Sequence, residues 1–441
     1  MKRAALHNLG CKVNAYETKA MQEMLERHGY EIVPFEEEAE VYIVNTCSVT
    51  NMADRKSRQM LHRAKRRNPE ALVVAAGCYV QSAGEELLKD SAVDILIGNN
   101  EKGRLTKILE EWEAGRRASY LHSMTRETEY ERLTLSQHEG HTRAYVKIQD
   151  GCNQFCSYCI IPYTRGRVRS RRLSDILEEV RSLAWGGYQE VVLTGIHLDS
   201  YGVDFPEGEG DLLTVIREIG SIEGIKRIRL GSLEPRIMTE SFVRSLSREE
   251  KLCPHFHLSL QSGCDQTLKR MNRRYDTEEF RACCERLCRH FDHPALTTDV
   301  IVGFPGETEE EFAQTYAFLQ EICFFETHVF KYSRRKGTRA DRMEGQIPEE
   351  TKTKRSDMLL ALSKKNQQAY ERRLLGSRVE VLMEESRVFQ GEVYQIGHTR
   401  EYVQVAVPVK KDLSNQLVRV FVDDLADFGI LCGHLADADR K

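Results

Sequence analysis

Residues 150–171 read DGCNQFCSYCIIPYTRGRVRSR and set Cys152, Cys156 and Cys159 in a C-x3-C-x2-C pattern. One tight loop therefore offers three thiolates, not four. A 4Fe–4S cluster held this way keeps one iron free of protein, open to a small molecule. Zinc sites show paired C-x2–4-C elements and four ligands, and no second pair follows here. Bacterial ferredoxin runs have the order C-x2-C-x2-C-x3-C-P, with a fourth cysteine. A cluster is thus a better reading of the triplet than zinc or core packing.

The run resembles the signature of radical S-adenosylmethionine (SAM) enzymes. That resemblance implies an open iron chelating the amino and carboxylate groups of SAM, and cleavage of SAM to a radical by one electron. The cofactor then carries the hard chemistry, and the protein positions and tunes it.

The chain has 441 residues, 41% hydrophobic and 30% charged, which describes a globular protein of about three domains. No apolar run approaches the roughly 18 residues needed to span a bilayer, and the N-terminus MKRAALHNLGCKVNAYE lacks the apolar stretch of a signal peptide. Thirteen cysteines without a secretion signal imply a reducing compartment, so a cytoplasmic protein with no membrane partner is expected. Net charge is −4, so any nucleic-acid contact must come from local patches. One candidate is Arg165, Arg167, Arg169, Arg171 and Arg172. The other is Arg55, Lys56, Arg58, Arg63, Lys65, Arg66 and Arg67 on a helical stretch. Either is equally readable as a solvated face.

Residues 1–115 alternate apolar runs at 3–9, 41–46, 71–76 and 93–97 with helical patterns at 15–28, 52–67 and 81–89. Asn14 followed by Glu17 reads as an N-cap with its capping-box partner. This alternation predicts a parallel sheet with helices on its faces. Cys11, Cys47 and Cys78 each fall just past a predicted strand, at spacings of 36 and 31 residues. In a parallel sheet such ends share one edge, where open α/β folds bind ligands. The three thiolates converge there on a metal cluster, or they are small buried residues closing tight turns; spacing leaves both open.

Residues 116–142 are polar and weakly periodic and read as a linker. From 143 to 372 alternation resumes, with strands near 144–149, 189–195, 225–231, 255–261, 296–302 and 326–332. Six βα units predict a partial (β/α)6 barrel with its site at the C-terminal strand ends. His255, His257, Ser259 and Gln261 alternate with Phe256, Leu258 and Leu260 and so face a polar lumen. Arg227 and Arg229 point the same way, with Glu234 or Asp299 as possible partners. A helical stretch at 349–375 ends at Gly376. Short alternating runs over 373–441 then predict a small antiparallel β-barrel. That barrel is expected to bind RNA as a separable module, dispensable for the clusters.

The order of parts resembles the radical SAM methylthiotransferases over essentially the whole chain. The matching runs are LGCKVNAYET (9–18), VNTCSVTNMAD (44–54) and AAGCYVQ (75–81). The resemblance implies an N-terminal domain whose Cys11, Cys47 and Cys78 hold a second 4Fe–4S cluster, open to exogenous sulfur. It also implies a central radical SAM domain and a C-terminal TRAM barrel. ADRKSRQ (53–59), VVLTGIHLDSYG (191–202), RIRLGSLEP (227–235) and HFHLSLQSGCDQTLKRMNRRY (255–275) are most similar to the branch that modifies threonylcarbamoyl-adenosine beside the tRNA anticodon. Other branches act on isopentenyl-adenosine or a ribosomal-protein aspartate. The family's reaction uses SAM twice, once to methylate sulfur and once to make the radical that removes the adenine C2 hydrogen. It needs tRNA, a flavodoxin- or ferredoxin-like electron donor and a sulfur source.

Resemblance to other radical SAM barrels implies that Thr194 and Gly195 meet the amino-acid end of SAM. It sets Ser259, Gln261 and Gly303 along the ribose and adenine, and counts Tyr158 and Arg229 among the cofactor contacts. A threonylcarbamoyl group carries a carboxylate and a hydroxyl, so its site needs a cation and hydrogen-bond donors. Arg227, Arg229 and the segment around Ser232 are the candidates. The rival of another class is a non-catalytic iron–sulfur protein that binds RNA.

Overall fold

The computed structural model describes residues 1–116, 118–124, 129–135, 142–206, 209–389, 391–426 and 429–436. At the N-terminus six parallel strands run in the order Glu31–Ile32, Arg3–Asn8, Val41–Thr46, Leu72–Gly77, Ile95–Ile97, Ser119–Tyr120. All six side chains of VYIVNT (41–46) are buried, because helices cover both faces. Val41 and Ile43 pack with Met21, Leu25 and Ile108 on one face, while Tyr42 and Val44 meet Leu61 and Ala64 on the other.

Two local expectations fail here for the same physical reason. The first helix, Lys12–Arg27, is preceded by Cys11 as its N-cap, which makes no side-chain cap. Asn14 lies inside the helix and donates to the carbonyls of Leu9 (2.7 Å) and Thr46 (3.0 Å), tying two cysteine-bearing loops together. Glu17 is buried against Lys102 (2.6 Å), Lys147 (2.8 Å) and Arg165 (2.8 Å). Distant charges claim the carboxylate that the local pattern assigned to a cap. The stretch expected as a linker also gains structure. Ser119–Tyr120 extends the sheet, Leu133 and Leu135 enter the central core, and Tyr130 donates to the Lys147 carbonyl (2.8 Å). Residues 117, 125–128 and 136–141 of it lie outside the described residues.

Six parallel strands follow in spatial order Arg143–Lys147, Glu190–Thr194, Arg227–Leu230, His255–Gln261, Ala295–Val302, Glu326–Lys331. The two halves of this arc join at the parallel bridges Ile228–Leu252 and Leu233–Leu258. Ile228, Leu230, Phe256, Leu258 and Leu260 pack outward into one large core with the surrounding helices, leaving the alternate residues to the lumen. The helices Thr277–His290 and Glu309–Ile322 both start with capping boxes, Asp276/Glu279 and Thr308/Glu311.

The C-terminal strands Arg378–Phe389, Glu392–Thr399, Gln404–Val407, Leu431–Leu435 and Leu417–Leu425 close into a five-stranded barrel. It is no separable module. Its core residues Val381, Val405 and Val420 share a cluster with Ala295 and Phe325 of the central domain. Its turn at Thr399–Tyr402 closes the N-terminal end of the central strands. Arg227 donates to the carbonyls of His398 and Glu380 (both 2.9 Å), and Arg229 donates to the carbonyl of Arg400 (2.9 Å) and to Glu190 (2.9 Å). Arg143 bridges Glu190 (2.7 Å) and Glu384 (2.6 Å). The Tyr402 ring meets the Arg143 and Arg229 guanidiniums at 4.8 and 4.7 Å and stacks on His398 at 4.4 Å. Burial alone would raise the Glu190 carboxyl, but Arg229 and Arg143 bring it down to about 2. The partners of Arg227 and Arg229 are therefore Glu190 and the C-terminal barrel, not Glu234 or Asp299. Among the described residues no helix is long and apolar enough to cross a membrane.

Candidate functional site

The first cysteine triplet lies on the loop after Arg143–Lys147, clasped by pairing of Gln149–Asp150 with Arg169–Ser170. Gly151 has φ +71°, and a Cβ there would lie 1.8 Å from the Arg167 carbonyl oxygen, so the clasp demands glycine. Burial pushes the Cys152 thiol up to about 11 and raises Cys159 further, with the neighbouring Cys156 adding to it. Cys152 is buried and Cys156 and Cys159 are partly so; three neighbouring sulfurs in such surroundings hold negative charge only when a cation compensates them, which is the environment of a metal–thiolate site. Arg273 supplies part of that compensation by donating to the Cys156 sulfur at 3.1 Å. It is fixed by Glu234 (2.7 Å) and the Tyr275 hydroxyl (2.9 Å), and Glu234 in turn meets His197 (3.3 Å). Beside them burial raises the Asp199 carboxyl to about 7. Arg273 sits in the quoted run 255–275, but nothing in its local pattern marks it as a partner of sulfur.

The second triplet lies at the C-terminal ends of three adjacent strands, Arg3–Asn8, Val41–Thr46 and Leu72–Gly77. Gly10, at φ +101°, brings its backbone so close to Cys47 that a Cβ would lie 2.7 Å from the sulfur. Asn99 points an amide at Cys78 Sγ (3.5 Å). Desolvation raises the Cys11 thiol although the residue keeps an exposed surface, and burial takes Cys47 up to about 11; Cys78 acts on both as a like charge, and Cys11 on Cys47. The donor set again fits a cluster with one open position.

Arg165 joins the two halves of the site. It follows the first triplet in sequence, yet it donates to Asn14 (2.7 Å) beside the second and pairs with Glu17 (2.8 Å) and Asp150 (3.1 Å). Lys147 and Arg169 complete this buried network on Asp150. Arg171 is likewise buried, against Glu179. Arg165, Arg169 and Arg171 thus leave the candidate RNA patch, while Arg167 and Arg172 stay exposed. Arg55, Lys56, Arg58 and Arg66 on the helix Asn51–Arg67 also stay exposed.

Beside Cys11 of the second triplet, at the C-terminal strand ends, lies a cavity of about 470 Å³ lined by Gly10–Val13, Thr194, Gly195, Gly231, Ser232, His257, Asp299 and His328. A second, of about 230 Å³, shares Asp299 and adds Tyr158, Gln261, Ile301 and Tyr332. Gln261 takes φ +68° after the irregular pairing between Leu258 and Gln261, which re-aims the strand at this point. Thr194 and Gly195 thus line the first cavity and Tyr158 and Gln261 the second, with Asp299 common to both. Three other expected cofactor contacts sit apart from both. Arg229 is committed to the lumen floor. Gly303 faces Lys352 on the helix Glu349–Arg372, where a Cβ would meet Lys352 Cγ at 2.3 Å. Ser259 lines neither cavity, and its carbonyl accepts from Arg273 (3.3 Å).

The uncharacterized protein family UPF0004 matches residues 3–98, and the radical SAM superfamily matches residues 146–319. Threonylcarbamoyladenosine tRNA methylthiotransferase MtaB of Bacillus subtilis is 39% identical over 95% of this chain and 93% of its own length. The protein of the same name from Aquifex aeolicus is 40% identical over 95% and 100%. A tRNA-2-methylthio-N(6)-dimethylallyladenosine synthase of Moorella thermoacetica is 36% identical over 93% of each chain. Among solved structures, the radical SAM methyltransferase TsrM from Kitasatospora setae shares the fold, with a TM-score of 0.57 at 15% identity over 77% of each chain. At such identity and coverage, and with a radical SAM barrel behind the cysteine loop, the chain belongs to the radical SAM tRNA methylthiotransferases.

Proposed function

We propose that this enzyme places a methylthio group on C2 of N6-threonylcarbamoyladenosine next to the tRNA anticodon. It uses SAM and two 4Fe–4S clusters, one on Cys152, Cys156 and Cys159 and the other on Cys11, Cys47 and Cys78. The observation that carries this reading is one cavity that brings the second triplet to the strand ends of the barrel. Cys11 of the second triplet lines the same space as Thr194 and Gly195, at the strand ends beside the first. A sulfur donor and a radical generator must both reach a single carbon, and two triplets on separate surfaces would not allow it. Bound at these thiolates, the clusters and SAM supply the one-electron chemistry that an adenine C2–H bond requires, since no acid–base group reaches it at neutral pH.

The chain's own part is positioning. Arg273 fixes Cys156 by a charged hydrogen bond, and Arg165 with Glu17 locks the N-terminal domain onto the barrel. Tyr158 and Gln261 line the second cavity, which meets the first at Asp299, and face the ribose and adenine of SAM there. The exposed arginines of Asn51–Arg67, with the C-terminal barrel, meet the tRNA phosphates, so binding weakens as salt rises. An electron carrier would enclose each cluster with four ligands, whereas each set here has three.

The cavity favours the threonylcarbamoyl substrate over dimethylallyl. Among the described residues Val13 is its single aliphatic side chain, amid Lys12, Thr194, Ser232, His257, Asp299 and His328. Reconstituted, reduced enzyme given SAM and sulfide should convert an anticodon stem-loop bearing the threonylcarbamoyl group, and leave the unmodified one nearly untouched. Equal turnover of a dimethylallyl stem-loop would overturn the substrate assignment and leave the methylthiotransferase reading standing.

A further inference from the structure

Lys12 opens the helix Lys12–Arg27 beside Cys11, and it lines the cavity of about 470 Å³. It is exposed there to solvent and to any ligand that enters. Among the described residues it makes no ion pair and no side-chain hydrogen bond. The other guanidiniums around the lumen are committed. Arg143 and Arg229 hold Glu190 at the floor, Arg165 holds Glu17, and Arg273 holds Glu234. The nearest lumen carboxylate, Asp299, is taken by His257 at 3.2 Å, whose ring stacks on His328 at 5.6 Å. An ammonium that lines a cavity and has no ion-pair partner among the described residues is free to pair with an anion that a ligand brings.

The geometry points to Lys12 as the residue that reads the carboxylate of the threonylcarbamoyl group, with Ser232 and the His257–Asp299 pair facing its hydroxyl and carbamoyl groups. This assignment rests on the substrate reading above and deepens it. It replaces Arg227 and Arg229, whose guanidiniums are held at the floor by Glu190 and the C-terminal barrel. A dimethylallyl group would leave Lys12 without an anion, so the same residue both attracts one substrate and rejects the other.

The test is equilibrium binding of anticodon stem-loops to the reconstituted full chain. Three ligands are compared: one with the threonylcarbamoyl group, its carboxylate methyl ester, and one unmodified. Wild type should favour the free carboxylate over the ester by roughly 10- to 100-fold. Lys12→Ala and Lys12→Gln should bring that ratio close to one, and Lys12→Arg should restore much of it. Iron content, measured on the same samples, shows that the variants keep their clusters. A carboxylate-to-ester ratio that survives in Lys12→Gln would overturn the Lys12 assignment alone. Wild type that binds all three equally would overturn the substrate reading, and this assignment with it. The ester comparison in wild type needs no variant to fold.

Discussion

Truncation at Gly376 will destabilise the central barrel and release iron, instead of only weakening RNA binding. The reason is the floor of the lumen. Without the turn Thr399–Tyr402, Arg227 and Arg229 lose the carbonyls of His398, Glu380 and Arg400, and the Tyr402 ring no longer covers Arg143 and Arg229. Ala295 and Phe325 lose their packing against Val381, Val405 and Val420. Removing a fully buried aromatic costs about 3–5 kcal/mol; Tyr402 is partly buried, so Tyr402→Ala alone should cost less than that and lower Tm by about 5 °C in a domain of this size. The truncated chain should fall further and hold less iron after reconstitution. Thermal denaturation and iron assay of residues 1–375 beside the full chain check this. An unchanged Tm with full iron would mean that the barrel is an appended module after all.

Replacing each cysteine triplet by alanine should halve the iron, from about eight to about four per chain, with different consequences for activity. Loss of Cys152, Cys156 and Cys159 should abolish SAM cleavage. Loss of Cys11, Cys47 and Cys78 should leave 5′-deoxyadenosine formation measurable while methylthiolated product disappears. The asymmetry follows from position: the second triplet hangs on the N-terminal sheet and touches the SAM side of the cavity only through Cys11. Full iron retention in either triple variant would remove those cysteines from the ligand set.

Elements whose partners lie on a repeating local pattern were legible. VYIVNT (41–46) and HFHLSLQ (255–261) declare strands because alternate or continuous apolar residues leave no other way to bury them. Glu31–Ile32 and Ser119–Tyr120 were not legible, since each is a two-residue edge created by the neighbouring strand. The charged residues are harder still. Glu17 looked like a capping group, and Arg165 like part of an RNA patch, because a local pattern carries no information about a counter-ion over a hundred residues away; Arg169 is withdrawn from that patch by Asp150 across the cysteine loop. The same blindness hid Arg273 as a partner of Cys156, and it put Arg229 beside SAM when its donors are spent on the floor. The cysteines were legible because their spacing is itself the signal, one per strand end or three in one loop. Lys12 stood beside Cys11 in plain sight, and only the folded lumen distinguishes it as the cation left without an anion.

Nucleoside analysis of tRNA from a strain lacking the gene bears directly on the assigned reaction. Digested tRNA from that strain should contain N6-threonylcarbamoyladenosine and none of its 2-methylthio derivative. The derivative should return when the wild-type gene is restored, and stay absent with the Cys11, Cys47, Cys78 triple variant. Undiminished 2-methylthio-N6-threonylcarbamoyladenosine in the deletion strain would contradict the assignment.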